Sequence, residues 1–378
     1  MARGSVFKKD GAWAFRIDVG TDLVTGRRRQ SLRQGFSTRK EAEAALAKHA
    51  HAAATGGVVA KSSQKLSEYL DDWLVTQRQR LRATTLTSYD DALKRVRTGL
   101  GNVPLQALTP MQLEKFYAEL VDLGSKARIR LSPKTVRNTH TVLRKALADA
   151  ERLGLIYRNP AASARPPSAA RPEFTTWSSD EVKEFFAAVA DDRLFGAWVL
   201  LATTGMRRGE ALGLRWKDVD FDAAQLAVVQ TLTAVDAKPV FSPPKTVKSR
   251  RTIYLDAQTV LVLKEHRKRQ REERLAAGEA WDASGDLVFR DELGRLVHPD
   301  WFSREFRRLL ASTGLPHIRL HDLRHTHATL ALKAGVHPKV VSERLGHTTV
   351  GITLDLYSHV TPGIARDAAD AVAAKIFG

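Results

Sequence analysis

Prolines constrain the architecture of this 378-residue chain more than any other feature. Four of them stand in the segment Arg158–Pro172, whose other residues are mostly alanine, serine and arginine. Proline fixes φ and lacks a backbone N–H, so a segment of this composition predicts an extended linker and not a helix. A chain of this length can hold two or three domains, each with its own core. We therefore expect separate domains on either side of the linker.

A small β-rich module is expected over residues 1–58. Apolar and polar residues alternate over 13–19, and a second strand is predicted over 28–33 after a run of turn residues. A helix then opens at Ser37 to Glu41 and carries an apolar stripe on one face. The residues of that stripe are Ala42, Ala45, Leu46 and His49.

A helical domain is predicted over residues 64–165. Its clearest helix start is Ser132–Pro133, a capping residue followed by proline at the first helical position. The apolar residues that this helix directs toward a core are Val136, Leu143, Ala146, Leu147 and Ala150. Its other side carries a polar and basic row, which can lie against phosphates or simply be solvated. The row consists of Lys134, Arg137, Thr141, Arg144 and Lys145.

The charge balance favours a polyanionic partner. The chain has 60 Lys and Arg residues against 42 Asp and Glu, which gives a net charge of +18 and a pI near 10.2. Nucleic acid is the partner that this excess predicts, with an anionic membrane surface far behind. No apolar run approaches the ~20 residues of a spanning helix, and the amino terminus lacks the apolar core of a signal peptide. We expect a cytoplasmic, nucleoid-associated protein without a membrane partner.

Residue types that the sequence lacks exclude several classes of enzyme. Without cysteine the chain has no disulfide, no thiolate zinc site and no cysteine nucleophile, and without Gly-Lys-Ser or Gly-Lys-Thr it is not a P-loop ATPase. His321, His325 and His327 could be interpreted as a metal cluster. However, no acidic residue occupies the Glu position of His-Glu-x-x-His, and Arg324 would place a fixed positive charge in such a site. We expect no metal and no cofactor.

Three motifs in the second half of the chain hold the residue types of metal-free phosphoryl transfer. They are Thr204-Gly-Met-Arg-Arg-Gly-Glu210, His321-Asp-Leu-Arg-His325 and Leu345–His359, in which Tyr357 follows His347 by ten residues. Phosphodiester cleavage needs a nucleophile, positive charge at the non-bridging oxygens and a proton for the leaving 5′-oxygen. Arginine suits the second role because its planar fork matches phosphate and keeps its charge.

This set of motifs, in this order, resembles the tyrosine recombinases, the family of phage-type integrases, and the resemblance extends over the whole chain. It implies an α+β, mainly helical fold. A small N-terminal three-stranded sheet plus helix would be an arm-type DNA-binding domain (1–58), followed by a helical core-binding domain (64–165) and a mixed, mainly helical catalytic domain (173–378). The linker would span DNA between the last two domains. Within the catalytic domain we expect a capping box at Ser178-Ser-Asp-Glu181 and a short sheet near 225–256.

The resemblance also implies a role for each motif residue. The catalytic residues would be Arg207, Lys245, His321, Arg324, His347 and Tyr357, with Tyr357 as the nucleophile. The family places its first catalytic arginine directly after Thr-Gly-x, which selects Arg207 and leaves Arg208 as a surface or packing residue. Glu210 would support the site without touching DNA. Lys245 matches the hairpin lysine that protonates the leaving 5′-hydroxyl, and Lys248 in the same loop is the alternative.

Two groups of residues are expected to contact DNA outside the catalytic motifs. In the arm-type domain they are Arg27, Arg28, Arg29 and Arg33. In the core-binding domain they are Lys134, Arg137, Thr141 and Arg144. For single residues in either group, a merely solvated charge remains the alternative interpretation.

The function implied by the resemblance is that of a site-specific integrase, which integrates and excises a mobile element such as a phage through a 3′-phosphotyrosyl intermediate. Its partners would be double-stranded DNA with attachment sites and further copies of itself, in a homo-tetramer that passes through a Holliday junction. Accessory DNA-bending or excision factors stay open. Two alternatives remain, a type IB topoisomerase-like activity and a non-catalytic DNA-binding protein on the same fold. Compact size and the arm-like module argue against the first, and the complete set of motif residues argues against the second.

Overall fold

The computed structural model describes residues 4–21, 28–54, 59, 61–121, 131–169, 175–244, 250–347, 349–351, 353–354, 370 and 372–377. The chain forms two compact units, Met1–Arg171 and Pro172–Gly378. Within the described ranges, no helix is both long enough and apolar enough to cross a membrane.

The first unit begins with a three-stranded antiparallel sheet and a helix, as expected. The strands, in spatial as well as chain order, are β1 (Gly4–Lys9), β2 (Ala12–Thr21) and β3 (Arg28–Phe36), and α1 (Arg39–Ala54) follows them. The alternation in the sequence correctly locates β2, and the turn residues before position 28 correctly indicate β3, but neither signal locates β1. That strand turns into β2 through Asp10 and Gly11, both at positive φ as a tight hairpin requires.

Four further helices follow in the described part of this unit: α2 (Leu66–Gln77), α3 (Ala83–Leu100), α4 (Pro110–Val121) and α5 (Pro133–Arg152). The predicted start of α5 is confirmed, because the Ser132 hydroxyl accepts from the Thr135 N–H and Pro133 occupies the first helical position. All the apolar residues predicted for the inner face of α5 are buried in one core with residues of α2, α3 and α4. The opposite face of α5 is exposed.

The linker is shorter than its composition predicts. Residues 160–162 form a 3₁₀ turn, and Asn159, Ala161 and Ala164 are buried. The Asn159 side chain donates to the Arg144 carbonyl at 2.9 Å, which fixes this stretch against α5. The prediction of an extended linker is therefore wrong for its first part. Alanine and proline are apolar enough to pack wherever a neighbouring helix offers a surface, and composition alone does not reveal that surface.

The second unit is mainly helical. Its helices are α6 (Ser179–Ala188), α7 (Phe195–Thr204), α8 (Arg208–Leu212), α9 (Ala257–Ala277), α10 (Pro299–Ala311), α11 (Asp322–Lys333) and α12 (Pro338–Leu345). Its strands are β4 (Val219–Asp220), β5 (Gln225–Val228), β6 (Thr231–Val235), β7 (Lys238–Ser242) and β8 (Arg251–Tyr254). The single short sheet expected near 225–256 is in fact two sheets. Strands β4, β5 and β8 pair in that order, and β6 and β7 form a separate hairpin.

Helix α7 lies at the centre of the second unit. Nearly all of its residues are buried, and Trp198 stacks on Phe302 of α10 with ring centroids 4.4 Å apart. The helix also packs against α9 and α11. The capping box predicted at Ser178 and Glu181 is confirmed at the start of α6. Because α7 is packed on all sides, the turn at its C-terminal end is a rigid platform for the residues that follow.

Candidate active site

The turn after α7 positions the first candidate arginine. Gly205 ends α7 with φ +65°, and a Cβ built there would lie 2.4 Å from Leu345 and 2.8 Å from His327. Glycine is therefore required for two reasons, the left-handed backbone and the close approach of α11 and the end of α12. Arg207 follows as the extended N-cap residue of α8.

Arg207 and Arg208 leave this turn in different directions. The Arg207 guanidinium donates to Glu210 Oε1 at 2.8 Å and to the Gly346 carbonyl at 3.2 Å, and 39% of its side chain is exposed. Arg208 donates to the Ser303 hydroxyl of α10 at 2.7 Å. Arg208 therefore packs against α10, and Arg207 is the arginine that reaches the end of α12.

Arg324 reaches the same turn from α11. It is 3% exposed and donates to the Gly205 carbonyl and to the Leu345 carbonyl, both at 2.7 Å. Burial, with the positive charge of Arg207 nearby, lowers the pKa of Arg324 to about 9, so the guanidinium stays charged at neutral pH. His321 is the N-cap residue of α11, three positions before Arg324, and the predicted spacing places both at the start of one helix.

His321 presents part of its ring to solvent, and the ring meets that of His325 edge to face with centroids 5.2 Å apart. Loss of hydration around the ring, and then repulsion from His325 and Arg324, lowers the pKa of His321 to about 4. The imidazole is therefore neutral at pH 7 and can donate one N–H. The helix that it starts ends at Lys333.

His347 stands two residues after the end of α12. Gly346 ends that helix at φ +67°, and His347 Nδ1 lies 2.8 Å from the Thr353 hydroxyl. Burial and the positive charges of Arg324 and Arg207 lower the pKa of His347 to about 4. Since the Thr353 bond fixes the ring through Nδ1, a ligand would meet Nε2.

Three consecutive carbonyls at the end of α12 connect these residues. The Arg344 carbonyl accepts from Arg251 Nε at 2.6 Å, the Leu345 carbonyl accepts from Arg324, and the next carbonyl accepts from Arg207. The last carbonyls of a helix lack intrahelical partners and carry partial negative charge, so they suit guanidinium groups. We call this set the arginine–carbonyl network. It comprises Arg207, Arg251, Arg324, Glu210 and the carbonyls of residues 344–346.

Arg251 is the member of the network that motif spacing does not identify. Its side chain is 7% exposed and donates to both carboxylate oxygens of Glu210, at 2.9 and 3.2 Å, while Glu210 also binds Arg207. One signal could have located it. Arg251 stands two residues before Ile253 in β8, and period-two alternation places the two side chains on the same inner face.

Some predicted site residues lie outside the described part of the chain: Arg27, Lys245, the alternative Lys248, and Tyr357. Arg28 and Arg29 belong to β3, paired with Thr21 and Gly20 of β2. Arg33, also in β3, is exposed.

The row predicted to contact DNA from the helical domain is exposed along one side of α5. Its members are Lys134, Arg137, Thr141 and Arg144. The Thr141 hydroxyl donates to the Arg137 carbonyl at 2.9 Å, and the Arg137 guanidinium reaches the Pro167 carbonyl at 3.4 Å. Spacings of three and four positions make the row a continuous stripe about 15 Å long.

A second basic feature opens beside His321. A cavity of about 400 Å³ is lined there by Arg208, Arg307, Arg319 and His317 among others. Positive charge therefore continues from the candidate site along the side formed by α10.

Three family models match consecutive parts of the chain. The model of the Phage integrase family matches residues 176–363, that of the Arm DNA-binding domain residues 6–53, and that of the N-terminal SAM-like domain of phage integrases residues 65–121. The first range contains every candidate catalytic residue.

Individual relatives extend the similarity to nearly the full length. The chain is 29% identical over 384 residues to the tyrosine recombinase XerC-like protein of Caldanaerobacter subterraneus subsp. tengcongensis, covering 96% of each chain. It is 30% identical over 270 residues to the ICEBs1 integrase of Bacillus subtilis, covering 70% of this chain and 71% of that one. The structure of the Tn1549 transposon integrase in complex with a circular intermediate DNA shares the fold, with a TM-score of 0.69 at 20% identity over 82% of this chain and 100% of that one. The chain therefore belongs to the phage integrase family of tyrosine recombinases, enzymes that cleave and rejoin DNA.

Proposed function

We propose that this recombinase is a site-specific integrase that uses Tyr357 as its nucleophile beside Arg207, His321, Arg324 and His347. The tyrosine hydroxyl gives its proton to solvent water, and its oxygen attacks a backbone phosphorus to form a 3′-phosphotyrosyl link while the bond to the 5′-oxygen breaks. Lys245 donates the proton that the leaving 5′-oxygen takes up. The 5′-hydroxyl of a partner strand then attacks the link, restores a phosphodiester and releases the tyrosine. The bond energy is retained in the link, so the reaction needs no external energy source.

The observation that carries the proposal is the meeting of Arg207, Arg324 and His347 at the end of α12, from three separate segments of the chain. Two guanidiniums can bind the non-bridging oxygens, whose negative charge grows toward the transition state. Hydrogen bonds to backbone carbonyls hold both groups before DNA arrives, which reduces the reorganisation that the reaction requires. Neutral His347 can donate an N–H to a phosphate oxygen.

The substrate of this reaction is double-stranded DNA with attachment sites, and the active assembly is a homo-tetramer. Exchange between two duplexes cuts four strands, and each cut occupies one tyrosine, so four protomers are needed. The exposed row of α5 supports a grip on the duplex by residues 64–165. The arginines of β3 support a separate contact by an arm-type domain, residues 1–58, and residues 173–378 form the catalytic domain. The element that moves is mobile DNA of a kind that the site itself does not specify.

Replacement of the nucleophile tests the chemistry. Tyr357→Phe removes only the hydroxyl, so it should abolish covalent attachment and leave DNA affinity unchanged. On a suicide substrate nicked near the cleavage point, the wild type should accumulate a denaturation-resistant adduct and the Phe variant none. An adduct with the Phe variant would place the nucleophile elsewhere. Relaxation of supercoiled plasmid without attachment sites would favour the topoisomerase alternative.

Removal of the arm-type domain tests the division of DNA contacts. A protein that begins at Lys61 should still cleave core-site DNA but recombine poorly, because bridging two kinds of site raises the effective concentration of protomers at the exchange point. Residues 1–58 alone should protect DNA that flanks the crossover, with an affinity that falls as salt rises. Recombination at the full-length level by the shortened protein would refute this division.

A further inference from the structure

Arg251 joins three parts of the site through one guanidinium. Its Nη2 and Nη1 donate to the two oxygens of Glu210 at 2.9 and 3.2 Å, and its Nε donates to the Arg344 carbonyl at 2.6 Å. Gly346 packs on the same guanidinium, since a Cβ there would lie 3.1 Å from Arg251 Nη1. One side chain thus contacts α8, the end of α12 and the turn that leads to His347.

Glu210 is the buried centre of this arrangement. It is 5% exposed and is bound by Arg207 on one side and Arg251 on the other. Burial by itself would raise the pKa of Glu210, but the hydrogen bond and charge of Arg251, and then the charge of Arg207, lower it below its usual value. Arg251 is therefore the partner that does most to keep Glu210 ionised.

The two guanidiniums on Glu210 differ in what they can reach. Arg207 keeps a substantial exposed fraction, 39% of its side chain, whereas Arg251 keeps 7%. All three nitrogens of the Arg251 guanidinium donate to Glu210 or to the Arg344 carbonyl. The charge of Arg251 is paired with the Glu210 carboxylate through two of these bonds, whereas the equally buried Arg324 donates to neutral carbonyls. Arg251 therefore acts on the reaction through the groups it holds, and Arg324 keeps its charge for a phosphate.

We propose that Arg251 is a positioning residue for DNA cleavage, which holds Glu210 and the end of α12 so that Arg207 and His347 meet the scissile phosphate together. The inference rests on the proposed function, because that function assigns Arg207 and His347 to the phosphate. In the sequence, Arg251 also stands six residues after Lys245, the proposed general acid.

The groups that face Glu210 come from several elements, and all of those described are basic. They are Arg207 at the start of α8, Arg251 of β8 and Arg324 of α11. Arg344 of α12 and His347 lie in turn near Arg251, and the acidic Asp256 lies near Arg344. In the described part of the chain, the side chains that donate to the Glu210 carboxylate are those of Arg207 and Arg251. Loss of Arg251 would therefore leave a buried carboxylate with one direct guanidinium partner.

The decisive measurement is the pH profile of cleavage by Arg251→Gln. Single-turnover cleavage of a nicked suicide substrate is followed with the full-length enzyme in excess, between about pH 5.5 and about pH 8.5, the range into which a buried carboxyl can shift. Without Arg251, burial should raise the pKa of Glu210 into this range, and protonation at low pH would then release Arg207. We expect cleavage at least about tenfold slower than wild type, with a further loss as pH falls that the wild type lacks.

Two companion variants separate charge from geometry. Adding Glu210→Gln to Arg251→Gln removes the titrating carboxyl, so the additional loss at low pH should disappear while cleavage stays slow. Arg251→Lys keeps a positive charge beside Glu210, but one ammonium group cannot bind both the carboxylate and the Arg344 carbonyl in the same way. It should cleave slowly at every pH without the loss at low pH. Because Arg251→Lys retains the charge pair with Glu210, it can still test the proposal if Arg251→Gln does not fold. Wild-type rates for Arg251→Lys would refute the geometric part of the proposal.

Arg193→Gln is the matched control, because Arg193 forms a largely buried ion pair with Glu273 elsewhere in the same unit. It should lower Tm as Arg251→Gln does, without changing the pH profile. If the Arg251 and Arg193 variants have the same rates and the same pH profile, Arg251 is only structural and the proposal is overturned. A wild-type enzyme that forms no adduct at all would instead contradict the proposed function, and Tyr357→Phe distinguishes that case.

Discussion

Two sets of arginines in this protein are arranged in opposite ways. In the second unit, Arg207, Arg251 and Arg324 donate to backbone carbonyls at a helix end, and two of them are buried. In the first unit, Arg137 and Arg144 stand on an exposed face of α5. The first arrangement fixes the position of positive charge before any ligand arrives. The second leaves charge available along a stripe.

The difference shows that DNA binding and catalysis place different requirements on the position of an arginine side chain. Binding to DNA gains free energy from released counterions wherever a basic group approaches the backbone, so it tolerates movement. Catalysis needs charge at fixed points, where a displacement of about 1 Å is costly. Backbone carbonyls hold a guanidinium without cancelling its charge. With Glu210 as its one carboxylate, the arginine–carbonyl network keeps an excess of positive charge for a phosphate.

Among the arginine variants, we expect the largest effect from Arg324→Lys, which tests the set of arginines in the second unit. Lysine keeps the charge but loses the fork that spans the Gly205 and Leu345 carbonyls. Single-turnover cleavage should fall by roughly 10²-fold or more, while Kd for core-site DNA, measured by fluorescence anisotropy, changes little. Parallel losses of affinity and rate would mean that Arg324 only holds the duplex. The arginines of the second unit would then serve DNA binding, as those of α5 do.

A second prediction concerns a basic residue whose task is to give up a proton. Lys245→Ala should slow cleavage of normal DNA by on the order of 10²-fold, because the leaving 5′-oxygen then lacks its acid. A substrate with sulfur in place of that oxygen needs no proton and should restore a near wild-type rate. Lys248→Ala is the control and should respond equally to both substrates. The reverse pattern would transfer the role to Lys248.

Much of the site was predictable because its motifs are local in sequence. His321 and Arg324 are one helical turn apart, and Gly205 precedes Arg207 by two residues, so each motif is recognisable by its spacing. That separate motifs meet was implied by the family resemblance, since Arg207 and Gly346 are 139 residues apart. Arg251 was not predictable in this way. Its bond to the Arg344 carbonyl joins positions 93 residues apart, and it exists only because β8 packs beside the end of α12.

The fold shows the same division between local and distant information. The face of α5 and the two helix starts with side-chain caps follow from periodicity and capping residues, and the structure confirms them. The packing of Ala161 and Ala164 against the helical core does not, because small residues in a proline-rich segment give no periodic signal. The sequence pattern also did not predict strand β1. A short edge strand is specified by its pairing with the neighbouring strand more than by its own residues.

On the binding side of the comparison, we expect smaller and purely ionic effects. Arg137→Gln and Arg144→Gln should each weaken DNA binding several-fold and reduce the slope of log K against log salt by about 1. Cleavage at saturating enzyme should be unchanged. Arg152→Gln is the matched control on the same helix, because Arg152 is already paired with Asp149 at 3.0 Å. A salt slope unaffected by Arg137→Gln and Arg144→Gln would mean that the row is merely solvated.

The smallest effect concerns the histidines of the second unit, which share the positively charged and partly buried surroundings of its arginines. Burial is the main cause that lowers the pKa to about 4 at His266, His321, His327 and His347. In the unfolded chain a histidine titrates near ~6.5, so between that pH and about 4 the unfolded state binds more protons than the folded state. Stability should therefore be greatest above about pH 6.5 and fall as pH decreases toward about 4.

His266 offers the clearest test, because it is 3% exposed and has no proposed part in the reaction. Its Nε2 lies 2.9 Å from the Val288 carbonyl, which also accepts from Gln270 at 2.9 Å, so the carbonyl keeps a partner without it. His266→Phe preserves an aromatic ring against Phe289 and removes the titrating group. Between about pH 7 and about pH 5, its Tm should fall less than that of the wild type, by on the order of 2–4 °C. His317→Gln, at an exposed position, should follow the wild type. If His266→Phe also follows the wild type, acid sensitivity does not arise from this buried ring, and the electrostatic contrast between the two units would be confined to the arginines.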